Sequence, residues 1–169
     1  IRNGYALTAI VGNKNVINAA ASTFISSTIW TERIGYVAAI NTLKEMKRLK
    51  SWKILIKNGK YIIKGLEKLG KKYNLKLKVE GIESIINFKF LSIYDIYYKT
   101  YIAQEMLKKG YLASNLIYVT IHHNRTVINK YLKKLEPIFK NIENFEKYKN
   151  VKKYLNGPVC IKSFKRLTN

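Results

Sequence analysis

Residues 75–91 read LKLKVEGIESIINFKFL. Leu75–Val79 alternates strictly, with Lys76 and Lys78 directed outward, which is the period of a half-buried strand. Gly81 turns the chain and Ile85–Leu91 reads as the next strand. Asp95–Lys109 carries apolar or aromatic residues at Ile96, Tyr97, Tyr101, Ile102 and Leu107, and ends at Gly110, a helix C-terminal signal. Leu112–Ile121 follows as a third strand. Asn124 caps a last helix with its stripe at Val127, Ile128, Tyr131, Leu132, Leu135, Ile138, Phe139 and Ile142. Pro137 lies inside that stripe and is expected to kink or divide the helix. The order ββαβα predicts a small α+β sandwich, with helices on a mostly antiparallel sheet.

Upstream of this block, Ser51 is placed to cap a helix with Trp52, Leu55, Gly59, Ile62, Ile63, Leu66, Leu69 and Tyr73 on one stripe. Its other face is Lys53, Lys57, Lys60, Lys64, Lys68 and Lys71, the pattern of a solvated face on an amphipathic helix. An earlier helix starts at Glu32, capped by Thr31, with Ile34, Val37, Ala38, Ile40 and Leu43 at helical spacing. Ser22–Thr31 reads as a loop, Lys14–Ala21 as a short helix, and Ala6–Val11, between Gly4 and Gly12, as a buried strand. One strand and a hydroxyl-rich loop cannot make a sheet, so residues 1–49 read as the trailing part of a larger domain and 50–169 as a small domain. The tail, Gly157–Asn169, has no clear period. The first residue is Ile, the only methionines are Met46 and Met106, and the chain is expected to begin partway through a longer protein.

Composition narrows the function classes. The 169 residues carry 32 Lys+Arg against 10 Asp+Glu, a net charge of +22. A hydrophobic share of 47% excludes a disordered basic tail. One Cys excludes an internal disulfide framework and a multi-cysteine zinc site, and fits a reducing compartment, here taken as the cytoplasm. No run approaches the roughly 20 apolar residues of a membrane span. The charge is 27 Lys to 5 Arg, and Lys, Ile, Asn and Tyr make 79 of the 169 residues, all four with AT-rich codons. A phosphate-reading surface favours the bidentate fork of Arg, so codon bias accounts for the charge better than nucleic-acid or membrane binding does.

Catalytic raw material is thin. Asp95 is the one aspartate, which excludes a paired-aspartate site. His122 and His123 are adjacent and would point to opposite faces of a strand, a poor arrangement for one metal. Cys160 has no obvious activating partner. No P-loop, GxGxxG or GxSxG occurs. The triplet Ser26-Ser27-Thr28 offers hydroxyls and unhindered backbone N–H groups that can make an anion-binding concavity.

Asn3-Gly4-Tyr5, Ala9-Ile10-Val11-Gly12, the block Thr23–Gly35 (TFISSTIWTERIG) and Ala38–Met46 (AAINTLKEM) together carry a resemblance. So does the tail Gly157-Pro158-Val159-Cys160 with Phe164–Thr168 (FKRLT). The chain resembles the class III pyridoxal-phosphate aminotransferases, in particular their glutamate-1-semialdehyde aminotransferase-like branch. The resemblance implies an α/β fold: the C-terminal part of a fold-type-I transferase, comprising the edge of the large domain and a small α+β domain. It implies pyridoxal 5'-phosphate as cofactor, with the Schiff-base lysine just upstream of Ile1 and no catalytic residue within the chain. Thr28 matches the threonine that reaches the cofactor phosphate of the other subunit, with Ser27 assisting through its backbone N–H. Arg166 is the candidate for a substrate carboxylate. Leu112–Ile121 holds no Arg, which favours a semialdehyde-like or amino-sugar-type substrate over an ω-amino acid. The implied enzyme is an aminotransferase or aminomutase, a homodimer with its active site at the subunit interface, acting on small amino donors and acceptors, with no metal. Alone, the chain should be inactive. Two alternatives stand beside it: a basic α+β nucleic-acid-binding module, and a non-catalytic relative kept for assembly.

Overall fold

The structure, a computed structural model, describes residues 5–23 and 32–161. The chain divides into two compact units, Ile1–Ser51 and Trp52–Asn169.

In the first unit, α1 (Lys14–Ala21) opens at Asn13, whose side chain accepts a bond from the Asn15 N–H at 3.0 Å. Residues 6–11 form no strand, contrary to the expectation, and Ile10 and Val11 are exposed. A short apolar run becomes a strand only where another strand meets its backbone donors and acceptors. The second helix, α2 (Arg33–Leu49), takes Glu32 rather than Thr31 as its N-cap, without a side-chain bond. Its last carbonyls, those of Met46 and Lys47, accept the N–H of Lys50, which adopts a left-handed conformation (φ 48°). The chain re-enters a helix at once, so Ser51 is the first residue of α3 (Ser51–Lys72) and not its cap.

The second unit is built on a three-stranded antiparallel sheet in the order β1-β2-β3, formed by β1 (Leu77–Ile82), β2 (Ile85–Phe90) and β3 (Leu116–Tyr118). The β1–β2 pairing runs from Leu77 opposite Phe90 to Ile82 opposite Ile85, which leaves Glu83 and Ser84 as the turn. Gly81 sits inside β1 with φ +95°, where an added Cβ would meet the Ile85 carbonyl oxygen at 2.3 Å. Only glycine satisfies both conditions. Alternation on β2 buries Ile86, Phe88 and Phe90. Phe90 packs against Tyr98 of α4 (Asp95–Leu107) and Phe139 of α5 (Arg125–Tyr148), with ring centroids 5.5 and 5.4 Å apart. Ile62, Leu66 and Leu69 of α3 complete the core.

The sheet is entirely antiparallel, in line with the expected sandwich. Strand β3 is shorter than expected: Asn115 still reaches β2, its carbonyl accepting the Phe88 N–H at 3.0 Å and its side chain donating to Asn87 at 2.8 Å, but just upstream the Ala113 N–H turns back to the Tyr111 carbonyl at 3.0 Å. Helix α5 starts at the Asn124 cap, whose side chain accepts the Val127 N–H at 3.0 Å. It continues unbroken past Pro137, which is exposed. The helix is not divided: the proline stands on its solvent side and the helix continues beyond it. A short 3-10 helix, Val151–Tyr154, buries Val151.

Candidate functional site

A cavity lies in the second unit, and the segment 111–123 makes most of its wall. Gly110 (φ +80°) ends α4 with the reversal its backbone permits, and the Tyr111 N–H bonds back to the Met106 carbonyl at 2.9 Å. The chain then crosses β3 and turns at Thr120–His123, where the Thr120 N–H donates to His123 Nδ1 at 3.2 Å and the His123 N–H to the Thr120 carbonyl at 3.2 Å. Ile62 of α3 and Val127, Ile128 and Tyr131 of α5 close the other side. The result is a cavity of about 380 Å³ with mainly apolar walls.

Its polar groups are few and uncharged. Ser114, Thr120, His123, Tyr111, Tyr118 and Tyr131 line it, with no Lys, Arg, Asp or Glu. Burial, and secondarily the neighbouring His122, hold His123 below the usual imidazole range, which keeps it neutral. Since Nδ1 accepts the Thr120 N–H, the ring proton sits on Nε2. The Tyr131 hydroxyl is buried without a hydrogen-bond partner among the described residues, and burial pushes its pKa up to about 12. A second, more open cavity of about 390 Å³, between α5 and the 3-10 helix, is lined by Asn141, Asn144, Phe145, Tyr148, Asn150 and Tyr154.

Neither cavity suits a phosphate-bearing cofactor. A phosphate dianion is held by cationic side chains or a cluster of backbone amides, and neither wall contains a cation. The residues that the resemblance assigns to cofactor and substrate, Ser27, Thr28 and Arg166, lie outside the described residues. The adjacent histidines are not on a strand but in the turn that precedes α5. Cys160 is a half-buried free thiol, its Sγ 3.8 Å from the Ile96 carbonyl and its N–H donating to Thr100 at 3.0 Å. Among the described residues no group of three His, Cys, Asp or Glu comes together that could hold a metal, and no helix is long and apolar enough to cross a membrane.

No protein-family model matches the chain. Over 122 residues it is 28% identical to an aminopentol aminotransferase of Sphingopyxis macrogoltabida. The match takes in 72% of this chain and 28% of that protein. Its structure superposes on the PLP internal aldimine form of the FumI protein of Sphingopyxis sp. MTA144 with a TM-score of 0.68, at 20% identity. That superposition covers 81% of this chain and 34% of FumI. The chain shares its fold with part of FumI. It spans about a third or less of the length of the proteins it matches.

The cavity was not legible as a site in the sequence. Its segment, YLASNLIYV from Tyr111 to Val119, reads as a strand, and Tyr131 reads as one member of a helical stripe. The available signal was the Ala-Ser-Asn interruption at 113–115, which breaks the strand pattern where the wall turns away from the sheet.

Proposed function

We propose that the chain is the C-terminal part of a pyridoxal-phosphate-dependent aminotransferase of fold type I, which moves an amino group between an amino compound and an aldehyde or ketone. The match of 28% over 122 residues to an aminopentol aminotransferase carries this reading, and the fold shared with FumI supports it. The finer assignment is to class III and its glutamate-1-semialdehyde aminotransferase-like branch, with aminomutase as the related chemistry. It rests on the Thr23–Gly35 block and the tail from Gly157.

In this reading residues 1–49 trail from the cofactor-binding large domain and 50–169 form the small domain. When bound, the cofactor supplies the electron sink for the reaction, and the lysine that carries it lies upstream of Ile1. The chain's own contribution is to hold the phosphate. On the resemblance, the Thr28 hydroxyl and the Ser27 backbone N–H would hold the phosphate of the partner subunit's cofactor through charge-assisted hydrogen bonds. Arg166 is assigned to a substrate carboxylate. Helix α2 supports a place in a larger homodimeric assembly: Ile34, Val37, Ile40 and Leu43 are all at least half exposed on it, an apolar face of the kind that a further domain or subunit covers. The nucleic-acid-binding alternative has less support, because exposed lysines stand on α2, α3, β1 and α5 alike and do not gather on one element.

The test is to extend the reading frame upstream of Ile1, express that longer protein, and reduce it with borohydride in the presence of pyridoxal phosphate. The expected product is one cofactor per chain, fixed on a lysine before Ile1. A cofactor fixed on a lysine within residues 1–169 overturns the placement. An upstream frame without such a lysine overturns the enzyme.

A further inference from the structure

We propose that the turn at residues 120–123, which joins β3 to α5, is a pH-sensitive latch: neutral His123 holds it shut by accepting the Thr120 N–H, and protonated His123 releases it. The aminotransferase reading does not bear on this inference, which stands or falls by itself.

The turn closes on Thr120. Its N–H donates to His123 Nδ1 at 3.2 Å, its carbonyl accepts the His123 N–H at 3.2 Å, and its hydroxyl accepts the His122 N–H at 3.3 Å. Both flanks are tied down. Upstream, Val119 is buried and its N–H donates to the Ser84 carbonyl at 2.9 Å. Downstream, the Asn124 side chain accepts the Val127 N–H at 3.0 Å and starts α5. Movement is thereby confined to the four residues between them.

Of the three bonds only the first depends on protonation. Nδ1 accepts through a lone pair, and an incoming proton must add there because Nε2 already carries one. In the imidazolium the Nδ1–H faces the Thr120 N–H, donor against donor. The ring then swings out to water or the Thr120 peptide turns. His123 and Thr120 both line the cavity of the second unit, so either movement opens the cavity at that corner.

The surroundings favour the neutral ring in the closed turn. His122 stands beside it in sequence, and the Arg125 guanidinium lies over the Tyr61 ring, 3.5 Å from its centroid. The titratable groups that share the cavity wall with His123 are Tyr111, Tyr118 of β3 and Tyr131 of α5, and α3 contributes only Ile62. No carboxylate lines that wall to stabilise an imidazolium. Burial, then His122, hold His123 below the usual imidazole range. The latch is therefore shut above about pH 6.5 and is lost as the pH falls through the lowered value.

The experiment follows the 169-residue chain by amide and imidazole NMR from about pH 8 to about pH 5. Hydrogen-exchange protection of the Thr120 amide, corrected for the intrinsic effect of pH on exchange, should fall about three- to tenfold, the worth of one neutral hydrogen bond. Its midpoint should coincide with that of the His123 ring, while the Val119 and Val127 amides keep their protection. His123→Asn puts an amide oxygen where Nδ1 stands, an acceptor at every pH, so the Thr120 transition should vanish. His122→Asn should leave the transition in place. A Thr120 amide that stays protected while His123 titrates, a transition that survives His123→Asn, or one that is lost in His122→Asn would each overturn the proposal. If His123→Asn does not fold, coincidence of the two midpoints in the parent supports the latch and their separation overturns it.

Discussion

Helix α3 meets the β1–β2 turn at Gly59, and replacing that glycine with alanine sets two known effects against each other. Within a helix, Gly→Ala gains about 1 kcal/mol from reduced freedom of the unfolded chain and better helix propensity. Here, however, the new methyl would lie 1.9 Å from the Glu83 carbonyl oxygen and 2.6 Å from its carbonyl carbon. Backbone on both sides must separate, because no rotamer change relieves the contact, and such overpacking costs about 1–3 kcal/mol or somewhat more. Gly59→Ala should therefore be net destabilising by about 1–2 kcal/mol, which lowers the melting temperature of a unit this size by roughly 4–12 °C. Gly65 is the internal control. Its added methyl meets Leu132 Cδ1 at 2.3 Å, the end of a flexible side chain that can turn aside, so Gly65→Ala should stay within about 1 kcal/mol of the parent. Double mutants separate the causes. Leu132→Ala should relieve whatever strain Gly65→Ala introduces, whereas Glu83→Ala should not rescue Gly59→Ala, because the obstructing oxygen belongs to the main chain. Thermal melts of the six variants, four single and two double, decide it. A Gly59→Ala protein as stable as the parent would refute the close approach of α3 to the turn.

Asp95 accepts the Phe90 N–H at 2.8 Å while standing in the first turn of α4, so Asp95→Ala should cost about 1–3 kcal/mol, read from the midpoint of urea unfolding. In acid, Glu136 and Glu80 are the groups to follow: hydrogen bonds from Lys72, and from Lys78 and Lys89, hold them below the usual carboxylate range. A lowered folded-state value means stability present above about pH 4.5 and lost as the pH falls through that value, so Glu136→Gln and Glu80→Gln should each flatten the acid limb of stability against pH. In alkali the sign reverses. Burial raises Tyr131 to about 12 and pushes Tyr98 and Tyr101 upward as well, so their contribution is intact below pH 10 and is lost as the pH climbs through the raised values. Tyrosinate absorbance should rise in two phases, and the late phase should coincide with unfolding and shrink in Tyr131→Phe.

What was legible in the sequence, and what was not, follows from where each signal is decided. The helices announced themselves through period and caps: Asn124 and Gly110 act locally, and both stand where their chemistry requires. The alternation of β2 survives because a single face of the sheet is buried. Errors came where the outcome depends on partners. Residues 6–11 have the composition of a strand but form none among the described residues, and Leu112–Ile121 contributes only Leu116–Tyr118, its Ala113 N–H turning back to the Tyr111 carbonyl. Pro137 lacks the N–H that a helix interior uses, yet it stands exposed and α5 runs on through it. The residues that a resemblance assigns to the cofactor, Ser27 and Thr28, were readable only as a motif, since a hydroxyl-rich loop is defined by the ligand it surrounds.

The distribution of lysine bears on the cavity in a way that composition alone does not. Codon bias supplies lysine wherever it is tolerated, and the α3 stripe from Lys53 to Lys71 is the result: six exposed ammonium groups on the solvent side of a helix whose other side is core. Exposure is the condition for that tolerance, because a long side chain can keep its charge in water there at little cost. The rim of the cavity meets the condition. Leu112 and Tyr118 are both well exposed, and lysine at either position would stay hydrated. Yet both remain apolar in a chain that has 27 lysines. Packing does not explain Leu112, whose side chain is almost entirely in solvent, but singly exposed apolar residues are ordinary, and Val11 and Ile93 are exposed in the same way. Leu112→Lys tests how little the free chain depends on that side chain. With almost no contact to lose, the variant should fold and melt like the parent, within about 0.5 kcal/mol. A thermal melt checks it, and a clear fall in melting temperature would refute the exposed position of Leu112 at the end of α4's reversal.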